Sequence, residues 1–270
     1  MPVFDTTEPI SVTLELISAR VTLDAAAHPH TEVEIAPADG SAASARAAAE
    51  TTVEFNRGSL VIRTPRQRGS LFGRGRQSTV DGSITVGIRL APGSSVRGEA
   101  GLGRLHAEGR LGECRFKTAS GDIRLQETGP LRLETALGAI AVGRVDGAAE
   151  VNNVSGPTEI GEVTGGLRVV GANGEVRVGR AAGDAEVKIA NGGVTIGEVS
   201  AGTVQLETTV GSVDVGIREG VAALLDLRSL IGGVSNNLEG SAAPASGEKS
   251  VRVHARSLNG DIRVHRASQR

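Results

Sequence analysis

The sequence predicts an all-β fold: a single-stack β-solenoid of the parallel β-helix kind, with about fourteen nine-residue half-coils and irregular β caps at both ends. Three observations carry that reading. Glycine recurs every nine residues through the centre of the chain, apolar residues follow it at fixed alternating slots, and aromatic residues make up only 1% of the composition.

The glycines stand at 103, 112, 121, 129, 138, 147, 156, 165, 174, 183, 192, 202, 211 and 220, and eleven of the thirteen intervals are nine residues. Each opens the pattern Gly-x-φ-x-φ, with φ apolar. The second φ slot is filled every time, from Ala107 and Phe116 through Val178 and Val187 to Val215 and Leu224. The first is apolar in every unit except at Thr158. Period-two alternation means short strands with φ residues facing in and x residues facing out. Glycine before each strand suits a corner with positive φ or close backbone approach. A small residue at the eighth position (Val145, Val154, Val163, Ala172, Ala181, Ala190, Val199) is expected to fill the next corner. One such unit cannot bury its own apolar stripe, so stacking is the stable arrangement.

The units also pair at eighteen residues, as though two strands made one coil. On one face the outward fourth positions read Arg115, Arg132, Glu150, Arg168, Glu186 and Gln205. Strands one coil apart lie about 4.8 Å from each other. The run from Arg132 to Glu186 is therefore expected to form an opposite-charge ladder that fixes register and solubility.

The flanks lack the strict nonapeptide. Strands are expected at Ile10–Val21, Thr31–Ile35, Thr52–Arg63 and Ser83–Leu90, forming a starting cap over residues 1–98, with a short Ala-rich helix over Ser41–Glu50 and a loop over Thr64–Asp81. The regular solenoid spans 99–228. Closing strands follow at Leu224–Leu230, Val251–Ala255 and Asp261–His265, with a loop over Gly240–Ser250 and the tail completing 229–270, all in one continuous domain. The motif returns near the end, where Ser257-Leu-Asn-Gly-Asp-Ile-Arg-Val echoes Thr118-Ala-Ser-Gly-Asp-Ile-Arg-Leu.

Units such as Ser120-Gly-Asp-Ile-Arg-Leu and Asn173-Gly-Glu-Val-Arg-Val follow the strand Ile84-Thr-Val-Gly-Ile-Arg-Leu-Ala-Pro. Together they resemble the bacterial "putative adhesin" β-strand repeat family, a domain of unknown function, over roughly residues 10–265. The resemblance implies the solenoid fold. It brings no catalytic residues, and for some members it implies a binding or assembly platform linked to cell-envelope stress sensing.

Chemistry is harder to find in the residues. Charge is balanced, 29 basic against 31 acidic, which gives no global field for nucleic acid or an anionic membrane. The single Cys114 makes an intrachain disulfide impossible, falls in an inward slot as a small core hydrophobe, and suits a reducing compartment. No basic and apolar leader opens the sequence and no run reaches membrane-span length, so a soluble, cytoplasmic protein is expected.

Calcium β-rolls need regular aspartates, but the sixth positions read Glu108, Lys117, Gln126, Glu134, Gly143, Asn152 and Gly161. Hexapeptide acyltransferases need a six-residue period and a catalytic histidine. The five histidines here are scattered, with His106 outward on a strand and His28, His30, His254 and His265 in the flanks. One cysteine does not make a zinc site. Carbohydrate-active β-helices stack sugars on aromatic rings, and this chain has no Trp and no Tyr. No cofactor, metal or catalytic set is assigned.

The most functional-looking segment is Thr64–Asp81, where Arg66, Arg68, Arg74 and Arg76 surround Leu71 and Phe72. Such a loop suits docking of a protein partner, an acidic lipid surface or nucleic acid, the alternative being a solvated insertion. The expected function is a noncatalytic scaffold or binding module, with another protein as partner. The rival readings are a surface adhesin and a carbohydrate-active enzyme.

Overall fold

The structure is a computed structural model describing residues 2–65, 82–238 and 250–267. The chain folds as an all-β solenoid that divides into two compact units, residues 1–129 and 130–270.

The first unit contains β1 (Val3–Phe4), β2 (Ser11–Ala25), β3 (Thr31–Pro37), α1 (Ala42–Glu50), β4 (Thr52–Asn56), β5 (Ser59–Arg63), β6 (Ile84–Leu90), β7 (Ser95–Arg110), β8 (Cys114–Ser120) and β9 (Ile123–Thr128). β2 and β7 are long because each serves two sides of a coil. β2 lies parallel to β7 from Ser11 to Ala25, while its other edge takes β5 over Ser11–Glu15 and β6 over Ala19–Ala25. β7 then passes to β8 and β9. Phe116 is buried on this path, and its ring lies over Gly98, where a Cβ would come within 2.7 Å of it.

β3 runs antiparallel to β6 and to β1, and the Ala-rich segment is helical, with the Ser41 hydroxyl accepting the N–H of Ser44 at 3.1 Å. One expectation is corrected. Thr52–Arg63 is a hairpin of two strands, because Arg57 (φ 47°) and Gly58 (φ 75°) make a two-residue turn of the kind that reverses a twisted ribbon.

The second unit opens with β10 (Leu131–Leu137), β11 (Ile140–Val145), β12 (Ala149–Ser155), β13 (Thr158–Val163), β14 (Leu167–Asn173), β15 (Val176–Ala181), β16 (Ala185–Asn191), β17 (Val194–Val199), β18 (Gly202–Val210) and β19 (Val213–Ile217). It closes with β20 (Ala222–Ile231), β21 (Val234–Asn237), β22 (Ser250–Asn259) and β23 (Ile262–Arg266). Every strand from β10 to β17 is hydrogen-bonded in parallel to the strand two further on, so Leu133 lies beside Val151 and Ile160 beside Val178, one coil of eighteen residues apart. φ residues such as Leu133, Val151, Ile160, Val187 and Leu206 are at most 1% exposed. The one polar φ residue, Thr158, is buried against Asn153, whose amide donates to its hydroxyl at 3.2 Å.

The two halves of a coil are not equivalent. In β12 burial alternates to the end, so Asn153 points in and Val154 points out, 47% exposed. In β13 the alternation breaks at Gly161 and Glu162, both turned outward, and Val163 is fully buried. The eighth-position residue therefore fills a corner only in every second unit, at Val145, Val163, Ala181 and Val199. Val154, Ala172 and Ala190 do not follow the expectation; they lie outward or half-buried.

The break has a backbone cause. A Cβ at Gly161, Gly179 or Gly197 would strike the carbonyl of the glycine one coil below, so this column of glycines lets successive turns close up. At the other corner Gly174 (φ 141°) and Gly192 (φ 148°) hold conformations disfavoured for any L side chain.

The expected closing strands are present but stack out of chain order, and one of their residues corrects an expectation. β22 and β23 are parallel to β18 and β19 on one side and to β20 and β21 on the other, so the last segment of chain is inserted beneath the coil that precedes it. The repeated Gly-Asp-Ile-Arg-Val motif lands there in step, with Gly260 over Gly211 and Gly232 over Gly260. Leu224 was expected to point inward; it is 63% exposed. The turn at Gly220 and Val221, closed by the Val221 N–H to the Arg218 carbonyl, shifts the strand by one residue, so Leu225 takes the inward place beside Val253. A one-residue slip exchanges the two faces of a strand.

Candidate functional site

The outward faces of the second unit carry two charge ladders. The expected one is there. Arg132, Glu150, Arg168 and Glu186 are neighbours in register, Arg132 donates to Glu150 at 3.0 Å, and Arg168 bonds Glu186. Lys188 also donates to Glu186, and that bond holds the Glu186 carboxyl below the usual carboxylate range while raising the Lys188 amine.

The second ladder escaped the sequence reading. It uses the seventh position of alternate units, where Arg144 pairs with Glu162 at 2.6 Å, Glu162 with Arg180 at 3.8 Å, and Arg180 with Glu198 at 3.4 Å. The signal was its own eighteen-residue spacing, hidden while every unit was aligned at nine. In the other units the seventh position points inward; there Asn153 and Thr208, and in register beyond Thr208 also Ser257 and Ser229, donate to corner carbonyls. Backbone acceptors that the turn would leave unsatisfied are thereby used.

The same column contains Gly171 and Ile189, which carry no hydrogen-bonding side chain. Beside them opens a groove of about 660 Å³ over β14, β16, β18, β22 and β20. Its apolar lining is Val170, Ile189, Ala190, Leu230 and Leu258, the last two 73% and 53% exposed. Its charges lie in one cross-strand row, where Lys188 neighbours Glu207, Glu207 neighbours Arg256, and Arg256 neighbours Arg228.

The row starts as a ladder and ends with two like charges side by side, which is unfavourable for the fold alone. Arg228 donates to Asp226 at 3.0 Å, and Asp226 also meets His254 at 3.4 Å. Burial by itself would raise the Asp226 carboxyl, but the bonds from His254 and Arg228 outweigh it and leave the group below its ordinary range. Arg256 has no carboxylate partner among the described residues. The groove thus offers an apolar lining with one uncommitted guanidinium beside a second.

The remaining candidates separate cleanly. Arg66, Arg68, Leu71, Phe72, Arg74 and Arg76 lie outside the described residues. Cys114 is fully buried as expected, and burial pushes its thiol up to about 12. Each histidine sits against a carboxylate: His28 with Asp24, His30 with Asp5, His106 with Glu108, His254 with Asp226, and His265 with Asp214 at 2.7 Å. Among the described residues no group of three or more His, Cys, Asp or Glu side chains could hold a metal ion, and no helix is long and apolar enough to cross a membrane.

Three solved structures are similar to the chain over nearly its whole length. A "putative cell adhesion protein" from Clostridium sporogenes is 12% identical, covers 98% of each chain and gives a TM-score of 0.25. A "putative adhesin" from Bacteroides fragilis is 10% identical, covers 97% of this chain and 95% of its own, and gives 0.32. A "putative adhesin" from Parabacteroides distasonis, also 10% identical with 97% and 95% covered, gives 0.37. No protein-family model matches the chain, and no curated protein matches it.

Proposed function

We propose that the protein is a noncatalytic binding module whose working surface is the groove over β14, β16, β18, β22 and β20, and that its partner is a polypeptide segment combining apolar and acidic side chains. The observation that supports this is the Arg256–Arg228 neighbour pair beside Val170, Ala190, Leu230 and Leu258. An anion placed between two registered guanidiniums turns a repulsion into two charge-assisted hydrogen bonds. An apolar lining alone would select poorly; adding that anion gives the site orientation. Outward carboxylates elsewhere on the second unit are engaged by arginines in ladders, which suits structural use rather than proton transfer.

The test is a random dodecapeptide library selected on the immobilised protein. Retained sequences should be rich in Asp or Glu next to Leu, Ile or Phe. Arg256→Glu should weaken them by about ten- to a hundredfold, in line with about 1.5–3 kcal/mol for a hydrogen bond to a charged group. A variant with Arg66, Arg68, Arg74 and Arg76 changed to Ser separates the groove from that basic segment. Retention lost in the Ser variant and unchanged in Arg256→Glu would move the site to the segment and end the groove reading. Scaffold and adhesin are two settings for the same surface. Recovery of the native protein in the medium or wall fraction identifies the adhesin, and recovery with the soluble cell contents identifies the scaffold.

A further inference from the structure

β20 is an edge strand. Among the described residues its only ladder is with β22, so the backbone groups on its far side have no strand partner. Edges of this kind are normally blunted by proline, inward charges or a covering element, because they pair readily with another chain. Among the described residues the edge at β20 carries none of those: its sequence is Ala-Ala-Leu-Leu-Asp-Leu-Arg-Ser-Leu-Ile, and its outward side chains Leu224 and Leu230 are 63% and 73% exposed.

The outward residues follow the order Leu224, Asp226, Arg228, Leu230. Read backwards against itself, that order is complementary in both polarity and charge. An antiparallel copy centred on Leu227 sets Leu224 opposite Leu230 of the second copy and Asp226 opposite Arg228 of the second copy, and two-fold symmetry makes each match twice. On the inner side Leu227 meets its own counterpart. Residues opposed in this way bring their Cβ atoms to about 4.5–5.5 Å, close enough for both kinds of contact. Head-to-tail stacking would set β20 against some other strand, and the match would be lost.

The geometry points to a homodimer in which β20 of two copies pairs antiparallel about Leu227, joining two β22–β20 ladders into one continuous sheet. This is an isologous contact that closes on itself, so it ends at two copies instead of growing into a fibre. It does not rest on the groove reading, whose test uses Arg256. It does place two grooves side by side across the symmetry axis, since Arg228 and Leu230 belong to both features.

Sedimentation velocity over a concentration series tests it. The wild type should pass from monomer to dimer. Arg228→Glu sets two acids against each other on each side of the axis, Asp226→Arg sets two bases, and each should raise the dissociation constant by about tenfold or more. An equimolar mixture of the two variants should restore the dimer, because each chain supplies the charge the other has lost. If a charge variant fails to fold, a cysteine pair decides. A mixture of Leu224→Cys and Leu230→Cys should form an intermolecular disulfide on oxidation while neither does so alone, and the buried Cys114 does not compete. A wild type that stays monomeric throughout, a dimer that both charge variants leave unchanged, or Leu224→Cys crosslinking to itself overturns the inference.

Discussion

The Arg144 guanidinium lies 2.6 Å from the Glu162 carboxylate, eighteen residues further along the chain. Glu162 also faces Arg180 at 3.8 Å, so one acid serves two bases in a column that continues to Glu198.

Replacing the shared acid should therefore cost more than replacing an end member. Each exposed pair contributes about 0.2–1 kcal/mol, so Glu162→Gln should lower unfolding free energy by about 1 kcal/mol and Arg144→Gln by about half that. Urea denaturation in low salt reads the difference. In 1 M salt, where screening acts over about 3 Å, the two variants should converge on the wild type. A cost that survives the salt would mean that packing of the Glu162 stem, and not its charge, is what matters.

Glycines in this chain are of two kinds, and substitution separates them. Gly192 has φ 148°, and a Cβ there would run into the Gly174 carbonyl. Gly192→Ala combines backbone strain of about 1–3 kcal/mol with overpacking of about 1–3 kcal/mol. At Gly166 a Cβ would find nothing nearer than 4.0 Å. Gly166→Ala should be close to neutral when thermal melts of the two variants are compared, and equal losses at the two sites would remove the steric account of the corner column.

Cys114 sets a pH dependence. Its thiol rises from 9.0 to about 12 on burial. Between those values the unfolded chain gives up a proton that the folded chain keeps, so stability is unaffected below pH 9 and falls as pH rises above it. The loss is at most about 1.4 kcal/mol per pH unit across that window. No Tyr is present to add a titration there. Cys114→Val should flatten the decline in melting temperature between pH 9 and 11, and native Cys114 should resist iodoacetamide at pH 8. An unchanged decline would assign the effect to the lysines.

How much of this was legible in the sequence depends on the distance over which each feature is decided. The glycine register and the φ slots are local, and Leu133, Val151 and Val187 stand where the nonapeptide puts them. The ladder from Arg132 to Glu186 was readable because stacking needs only the coil length. The Arg144–Glu198 ladder was missed because it depends on the broken alternation at Gly161, Gly179 and Gly197, which follows from contact with the coil below. The position of Leu224 was misjudged because a single residue in the turn at Gly220 reverses the faces. The groove depends on strands from both sides of the inserted segment, and no spacing rule connects Leu230 with Val170. The Arg66–Arg76 cluster is conspicuous in composition, yet it is separate in the chain from every groove residue.

The insertion of β22 and β23 beneath β20 and β21 means that synthesis order and stacking order part company. Ala222–Asn237 precedes Ser250–Arg266 in the chain, yet it is Ser250–Arg266 that lies against β18 and β19, with Ala222–Asn237 one layer further out. Among the described residues β20 and β21 reach their ladders only through Ser250–Arg266, so the last coil is not complete until the end of the chain is in place.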